Sequence, residues 1–83
     1  MRLVEVVLWA SLRRFADENA VVVVDANTVG GVLKGLVEQY PALKPHIDRG
    51  VSMSVDGRII ASGLNESVAR DSEVVLMQRL KGG

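Results

Sequence analysis

Residues 28–41 read TVGGVLKGLVEQYP, and this stretch decides the fold of the chain. Apolar residues recur in it at the three- and four-residue intervals that place side chains on one face of a helix: Val29, Val32, Leu33, Leu36, Val37 and Tyr40. Thr28 is a residue type that caps a helix N-terminus, and Pro41 ends the helix because the residue before a proline avoids the helical region. The three glycines each lower helix propensity by roughly 1 kcal/mol, so packing on a sheet must hold this helix.

Five further segments have the composition or the alternation of strands, being rich in β-branched residues or switching between apolar and polar residues. They are residues 3–9 and 21–24 before the helix, and residues 51–55, 58–61 and 73–80 after it. The connection between the first two strands is short, which favours an antiparallel pair. Asp56-Gly57 separates the third and fourth strands and is a typical hairpin turn pair.

A single amphipathic helix needs one sheet face on which to bury its apolar stripe. The sequence therefore predicts an α+β chain with the β-grasp, or ubiquitin-like, fold: a mixed sheet of about five strands packed on one main helix. By analogy with that fold, the first and last strands lie side by side in the middle of the sheet. We expect the domain to span residues 1–81 and residues 82–83 to form a flexible tail.

The composition excludes several classes of function. Lys plus Arg equals Asp plus Glu, at ten each, so the net charge is zero and the basic surface of a nucleic-acid binder or membrane anchor is not indicated. The chain has no cysteine, which excludes disulfides, thiolate metal sites and cysteine nucleophiles. The apolar runs are far too short to span a membrane, and the N-terminus lacks the pattern of a signal peptide. We expect a cytoplasmic protein that binds neither nucleic acid nor membrane.

The last residues carry the strongest candidate for chemistry. Gly82 and Gly83 place a free carboxylate on a stalk without side chains, which can enter a narrow channel. A carboxylate reacts with a sulfur or amine nucleophile only after one oxygen becomes a leaving group, and adenylation by ATP achieves this. Arg79 and Lys81 flank the tail and either pair with acidic groups along such a channel or are simply solvated. His46 is the single histidine and forms no metal site by itself, so we expect a carrier or substrate without a bound cofactor rather than an enzyme.

A second candidate is an apolar patch on the sheet face away from the helix. By alternation, Val7 and Trp9 of the first strand and Val75 and Met77 of the last strand point to that face. If the two strands are neighbours, the four side chains form one patch, which soluble monomers seldom expose without a partner. Either this patch docks an enzyme that acts on the terminal carboxylate or that accepts the group it carries, or loops cover the patch, or the alternation slips by one residue.

Several motifs together resemble a known family. They are Leu8–Arg13 (LWASLR), Thr28–Gly30 (TVG) at the start of the helix, Tyr40–Leu43 (YPAL) at its end, Val55–Arg58 (VDGR) at the hairpin, Asp71–Val74 (DSEV) before the last strand, and the terminal Gly82-Gly83. On these residues the chain resembles the small subunit of molybdopterin synthase and its relatives, the sulfur carrier of thiamine biosynthesis and the ubiquitin-like modifiers. The resemblance extends over nearly the whole chain.

The resemblance implies a cycle of reactions at Gly83. A ubiquitin-activating-like adenylyltransferase uses ATP to adenylate this glycine, a sulfurtransferase system converts it to a thiocarboxylate, and an acceptor enzyme takes the sulfur. The chain length favours the molybdopterin branch of the family. In that branch the sulfur acceptor is the large subunit of molybdopterin synthase, and this chain would be at most the non-catalytic small subunit of that enzyme. Two positions differ from the family pattern. The molybdopterin branch often has a proline pair where this chain has Gln78–Lys81, and the family often has asparagine where this chain has Asp56. These differences leave the identity of the sulfur acceptor undecided.

Two other functions remain compatible with the sequence. The chain is a ubiquitin-like modifier if adenylated Gly83 is joined to lysines of target proteins. It is a β-grasp binding module if the tail is inert. The sequence does not choose among molybdopterin, tungsten cofactor, thiazole and transfer RNA thiolation as the pathway, and it leaves the oligomeric state open.

Overall fold

The computed structural model describes residues 3–60, 65–69 and 71–78. In chain order, the elements are β1 (Leu3–Leu8), α1 (Ala10–Arg13), β2 (Val21–Asp25), α2 (Val29–Gln39), a 3₁₀ turn (Pro41–Leu43), α3 (Lys44–Arg49), β3 (Val51–Val55), β4 (Arg58–Ile60) and β5 (Val74–Gln78). Every predicted strand and the main helix are present, with differences at their ends. Among the described residues, no helix is long and apolar enough to cross a membrane.

The five strands form one mixed sheet in the order β2-β1-β5-β3-β4. β1 pairs antiparallel with β2 and parallel with β5, while β3 pairs antiparallel with both β5 and β4. A parallel pair needs a long crossover connection, and the chain from β2 to β4, which includes α2, supplies it. The predicted fold class is therefore confirmed, and so is the central position of the first and last strands.

One hydrophobic core lies between α2 and the inner face of the sheet. The two central strands and the helix contribute side chains that are fully shielded from solvent: Val4, Val6, Leu8, Val32, Leu36, Val74 and Leu76. Burying one such side chain stabilises the fold by about 1.5–3 kcal/mol. The inner positions of the strands are therefore committed to the core, and the alternate positions must face outward.

The ends of α2 confirm the signals in its sequence. Thr28 Oγ1 accepts a hydrogen bond of 3.1 Å from the Gly31 N–H, which is the predicted N-cap. The helix ends at Gln39, two residues before Pro41. At Gly35 the helix comes so close to β2 that an added Cβ would lie 3.1 Å from Val24 Cβ. A glycine there lets α2 pack tightly against β2, despite its low helix propensity.

Trp9 is the residue whose predicted element was wrong. The first strand was expected to include it, but β1 ends at Leu8 and Trp9 is the N-cap residue of α1. Its N–H still donates a 3.1 Å hydrogen bond to Leu76 O of β5, while its carbonyl accepts 2.8 Å from the Leu12 N–H. Trp9 thus continues the pairing of β1 with β5 by one bond before the chain turns into the helix.

Candidate functional site

The described chain ends with β5 at the centre of the sheet. β5 lies between β1 and β3, and its last residue, Gln78, pairs with Val51. Because β5 runs parallel to β1, Gln78 lies at the end of the sheet where β1 also finishes. The predicted tail residues Lys81, Gly82 and Gly83, together with Arg79, lie outside the described residues.

A row of side chains crosses the outer face of the sheet at the level of Val75, the second residue of β5. The strand registers place these five residues next to one another in the order Val21, Val7, Val75, Ser54 and Ile59. None is buried, and Val21 and Ile59 at the two edges are 46% and 60% exposed. With neighbouring strands about 4.8 Å apart, the row extends over about 19 Å. We call these five residues the outer row; four of them are apolar.

The outer row lies beside two further apolar side chains that were predicted for the patch. Met77 lies two residues beyond Val75 on the same face of β5, opposite Ser52, and is partly exposed. Trp9 is 43% exposed at the end of β1. All four predicted patch residues are therefore accessible to solvent on the outer side, with Val7 and Val75 in direct register. Their role in docking stays a prediction.

The first turn after β1 holds Trp9 in its exposed position. Arg13 Nε donates a 3.0 Å hydrogen bond to Leu8 O, which ties α1 back to the end of β1. Leu12 of α1 is fully buried in the core, which fixes the same turn against the rest of the fold. The backbone of Trp9 is therefore bonded on both sides, to β5 and to α1, while its side chain is partly exposed.

Sequence reasoning missed Val21 and Ile59 as members of this face. Both belong to short strands whose alternation would have placed them outward, because Val22 and Val24 of β2 and Ile60 of β4 turn toward the core. The predicted patch included residues of the first and last strands only. Their membership in one row also depends on the registers of four strand pairs, which a single sequence does not determine.

The opposite end of the outer face, where β5 begins, is acidic. Glu5, Asp71 and Glu73, with Ser72 and Val7, line a shallow depression. None of these three carboxylates makes an ion pair with another described residue. Among the described residues, no group of three histidine, aspartate or glutamate side chains is arranged to hold a metal ion. The depression is therefore an acidic surface rather than a metal centre within this part of the chain.

Asp56 secures the start of β5 beside this acidic surface. Its Oδ1 accepts a 2.9 Å hydrogen bond from the Glu73 N–H, and its own N–H donates a 2.9 Å bond to Glu73 O. Asp56 and Gly57 both have positive φ, 52° and 83°, as a tight hairpin turn with the twist of the sheet requires. One residue thus forms the predicted β3–β4 turn and anchors β5.

His46 packs against an aromatic ring instead of joining a polar cluster. Its ring centroid lies 3.9 Å from that of Phe15 with the planes tilted by 32°. Its Nδ1 is buried and has no hydrogen-bond partner among the described residues. His46 therefore contributes to packing beside Phe15.

We predict that Asp56→Ala destabilises the protein whereas Asp56→Asn does not. Alanine removes the acceptor for the Glu73 N–H and is strained at positive φ, which together cost about 1–2 kcal/mol. Asparagine keeps the Oδ1 acceptor and tolerates this conformation. Urea unfolding of the two variants measures the difference as a shift in midpoint. Equal midpoints for the two variants would contradict the assigned role of Asp56.

Comparison with known proteins gives a family and several structural relatives. The model of the ThiS family matches residues 6–83. The crystal structure of SAMP1 from Haloferax volcanii is 30% identical, with a TM-score of 0.78, and the alignment covers 98% of this chain and 99% of that one. The solution structure of the small archaeal modifier protein 1 from Methanosarcina acetivorans is 26% identical, with a TM-score of 0.83, and covers 100% and 98%.

A more distant structure shares the fold alone. CysO in the BexX/CysO complex of Amycolatopsis orientalis superimposes with a TM-score of 0.80 at 17% identity, over 96% of this chain and 99% of that one. No curated protein matches the chain. The family match and the fold relatives agree with the mixed five-stranded sheet described above.

Proposed function

Because the chain belongs to the ThiS family, we propose that it carries sulfur as a thiocarboxylate on Gly83. Family and fold relatives support the broader role of a sulfur carrier or ubiquitin-like modifier. The observation that carries the proposal is that the family match extends to residue 83 and so includes Gly82-Gly83. These glycines follow the strand that lies at the centre of the sheet.

The proposed chemistry takes place on the carboxylate of Gly83. One carboxylate oxygen attacks the α-phosphorus of ATP, pyrophosphate leaves, and an acyl adenylate forms. The persulfide sulfur of a sulfurtransferase then attacks the acyl carbon, AMP leaves, and an acyl disulfide to the sulfurtransferase forms. A thiol attacks the sulfurtransferase sulfur of this disulfide, which frees the thiocarboxylate on Gly83 and leaves a disulfide between the thiol and the sulfurtransferase. Two adjacent glycines suit this role because they add no side chain that would obstruct the channel of the activating enzyme.

We propose three partners and a place of action. They are a ubiquitin-activating-like adenylyltransferase that uses ATP, a sulfurtransferase, and a sulfur-acceptor enzyme in the cytoplasm. The acceptor that the sequence resemblance favours is a molybdopterin synthase large subunit. That a protein of the same fold, CysO, has been crystallised in complex with BexX supports the expectation that this chain also acts bound to a protein partner. In this scheme the chain is substrate and carrier rather than catalyst, and it binds no cofactor of its own.

The outer row and its neighbours Trp9 and Met77 are the proposed docking face for these partners. Their exposed apolar area would be covered by an enzyme that holds the tail, since β5 leads from this face toward residues 79–83. Arg79 and Lys81 would then meet acidic groups along the channel that receives the tail. Aromatic side chains such as Trp9 often supply much of the binding energy in an interface.

Deletion of Gly83 tests the carrier proposal. The shortened chain is expected to support no ATP–pyrophosphate exchange by the adenylyltransferase of the same organism, since the carboxylate lies one residue short of the reacting position. The control Lys34→Ala, at an exposed position of α2, should support exchange as the unaltered protein does. If neither the unaltered chain nor the control supports exchange, the carrier proposal fails and a binding module with an inert tail becomes the better account.

Trp9→Lys tests the docking face. The substitution is expected to raise the KM for the carrier about tenfold or more in the same assay, because it replaces an exposed aromatic anchor by a charge. The thermal unfolding temperature should change little, since the Trp9 side chain is 43% exposed. A folded Trp9→Lys protein that is activated with an unchanged KM would contradict the docking role.

The second candidate function is conjugation to proteins, which the likeness to SAMP1, named a small archaeal modifier protein, specifically favours. Activated Gly83 would then form isopeptide bonds with lysines of target proteins. Trypsin cleaves after Lys81, so each conjugate would leave a Gly-Gly remnant on the modified lysine. Mass spectrometry of native extracts, compared with extracts of a Gly83 deletion strain, distinguishes this modifier from a carrier that makes no conjugates.

A further inference from the structure

The two edges of the sheet differ in length and in composition. Among the described strands, β4 forms one edge with three residues and begins with Arg58, whereas β2 forms the other edge with five, Val21–Asp25. Short or charged edge strands resist the addition of a further strand. Four consecutive valines without a proline give β2 the composition of a strand that accepts one. The β2 edge is therefore the edge along which another chain could extend the sheet.

Alternate residues of β2 direct their backbone groups away from β1. The Leu8 N–H donates a 2.8 Å hydrogen bond to Ala20 O, and these two residues lie opposite each other when the register of β1 and β2 is extended by one position. In an antiparallel pair, opposed residues that exchange hydrogen bonds alternate with opposed residues that do not. Val22 therefore bonds to β1, whereas the N–H and C=O groups of Val21 and Val23 point to the edge of the sheet.

The side chain of Gln39 closes this edge at Val23. Its Nε2 donates a 2.6 Å hydrogen bond to Val23 O, although Gln39 is exposed and is the last residue of α2. The hydroxyl of the next residue, Tyr40, accepts a 3.0 Å hydrogen bond from Asn19 Nδ2, so the end of α2 is held beside the start of β2. Holding an exposed glutamine in one conformation costs side-chain entropy. The bond occupies a carbonyl to which an added strand would otherwise donate.

The β2 strand of a second copy of the chain is complementary to this edge. Antiparallel pairing of two β2 strands about Val23 places Asp25 of each copy opposite Val21 of the other, and valines opposite each other elsewhere. No like charges then lie opposite each other, and the zero net charge of the chain adds no overall repulsion. The two Val23 carbonyls would accept the central hydrogen bonds of the pairing, and Gln39 occupies these same carbonyls.

We propose that Gln39 keeps the chain monomeric by closing the β2 edge against the β2 strand of a second copy. When the Gln39 side chain moves away, Val23 O is released and the edge accepts the second strand, so that two five-stranded sheets join into one. Gln39 thus has the protective role that lysine or proline has on other edge strands. The inference concerns the edge of the sheet, does not rest on the proposed function, and assigns a monomer to a chain whose oligomeric state the sequence leaves open.

Sedimentation velocity of the full chain at micromolar to millimolar concentrations tests this role. Gln39→Ala is expected to form dimers at concentrations about tenfold lower than the unaltered chain, because one hydrogen bond in each copy no longer has to be broken. Glu38→Ala is the matched control, since it truncates the neighbouring exposed residue of α2 and leaves the bond from Gln39 to Val23 in place. The control should sediment as the unaltered chain does.

Hydrogen exchange of the backbone amides and a second substitution locate the contact. In the Gln39→Ala dimer the Val23 N–H should exchange more slowly than in the monomer, because it becomes bonded to the second copy. The Val22 N–H is bonded to β1 in both states and should exchange at the same rate. Adding Val23→Lys to Gln39→Ala should restore the monomer, since a lysine on an edge strand opposes the pairing of two identical strands.

Three results would overturn the role of Gln39. The first is that Gln39→Ala sediments as Glu38→Ala does at every concentration. The second is that Gln39→Ala associates but Val23→Lys does not reverse the association and the Val23 N–H is not slowed, because the contact would then lie elsewhere. The third is that dimers form only with a loss of protection at the Val22 N–H, because they would then arise from chains in which β2 has separated from β1.

Discussion

The packing of α2 against the inner face of the sheet is the interaction on which the rest of the structure depends. The described part of the chain has one long helix, α2, and three glycines weaken it, so its apolar face must be buried to keep it folded. The core is formed by the inner residues of β1 and β5 together with Val32 and Leu36 of the helix. Once alternate residues of these strands are committed inward, the others must face outward, which produces the outer face.

The position of the candidate site follows from the same arrangement. β5, whose last residue Gln78 is the last described residue of the chain, lies between β1 and β3 rather than at an edge of the sheet. The outer row crosses the sheet at Val75 of β5, and the acidic surface lies where β5 begins. A protein partner could therefore contact one continuous face while it holds the residues that follow Gln78.

Much of this could be predicted from the sequence, because its local signals agree with the fold. The apolar spacing and the cap at Thr28 predicted α2, and alternation in the first and last strands placed Val7, Val75 and Met77 outward. Trp9 was placed in β1 because a strand pattern alone does not reveal where a helical turn begins. Val21 and Ile59 were not assigned to the face since their alignment depends on strand registers. Glu5 and Glu73 likewise line one depression only because β1 and β5 lie side by side.

The central claim is that Gly83 carries sulfur, and the intact mass of the protein purified from its native cells tests it most directly. The account predicts a fraction of the chain that is heavier by the replacement of one oxygen by sulfur. Fragmentation should place this change at Gly83, and the heavier form should be absent when Gly83 is deleted. If only the plain carboxylate is found under conditions in which the activating enzyme and a sulfur source are present, the carrier account is contradicted.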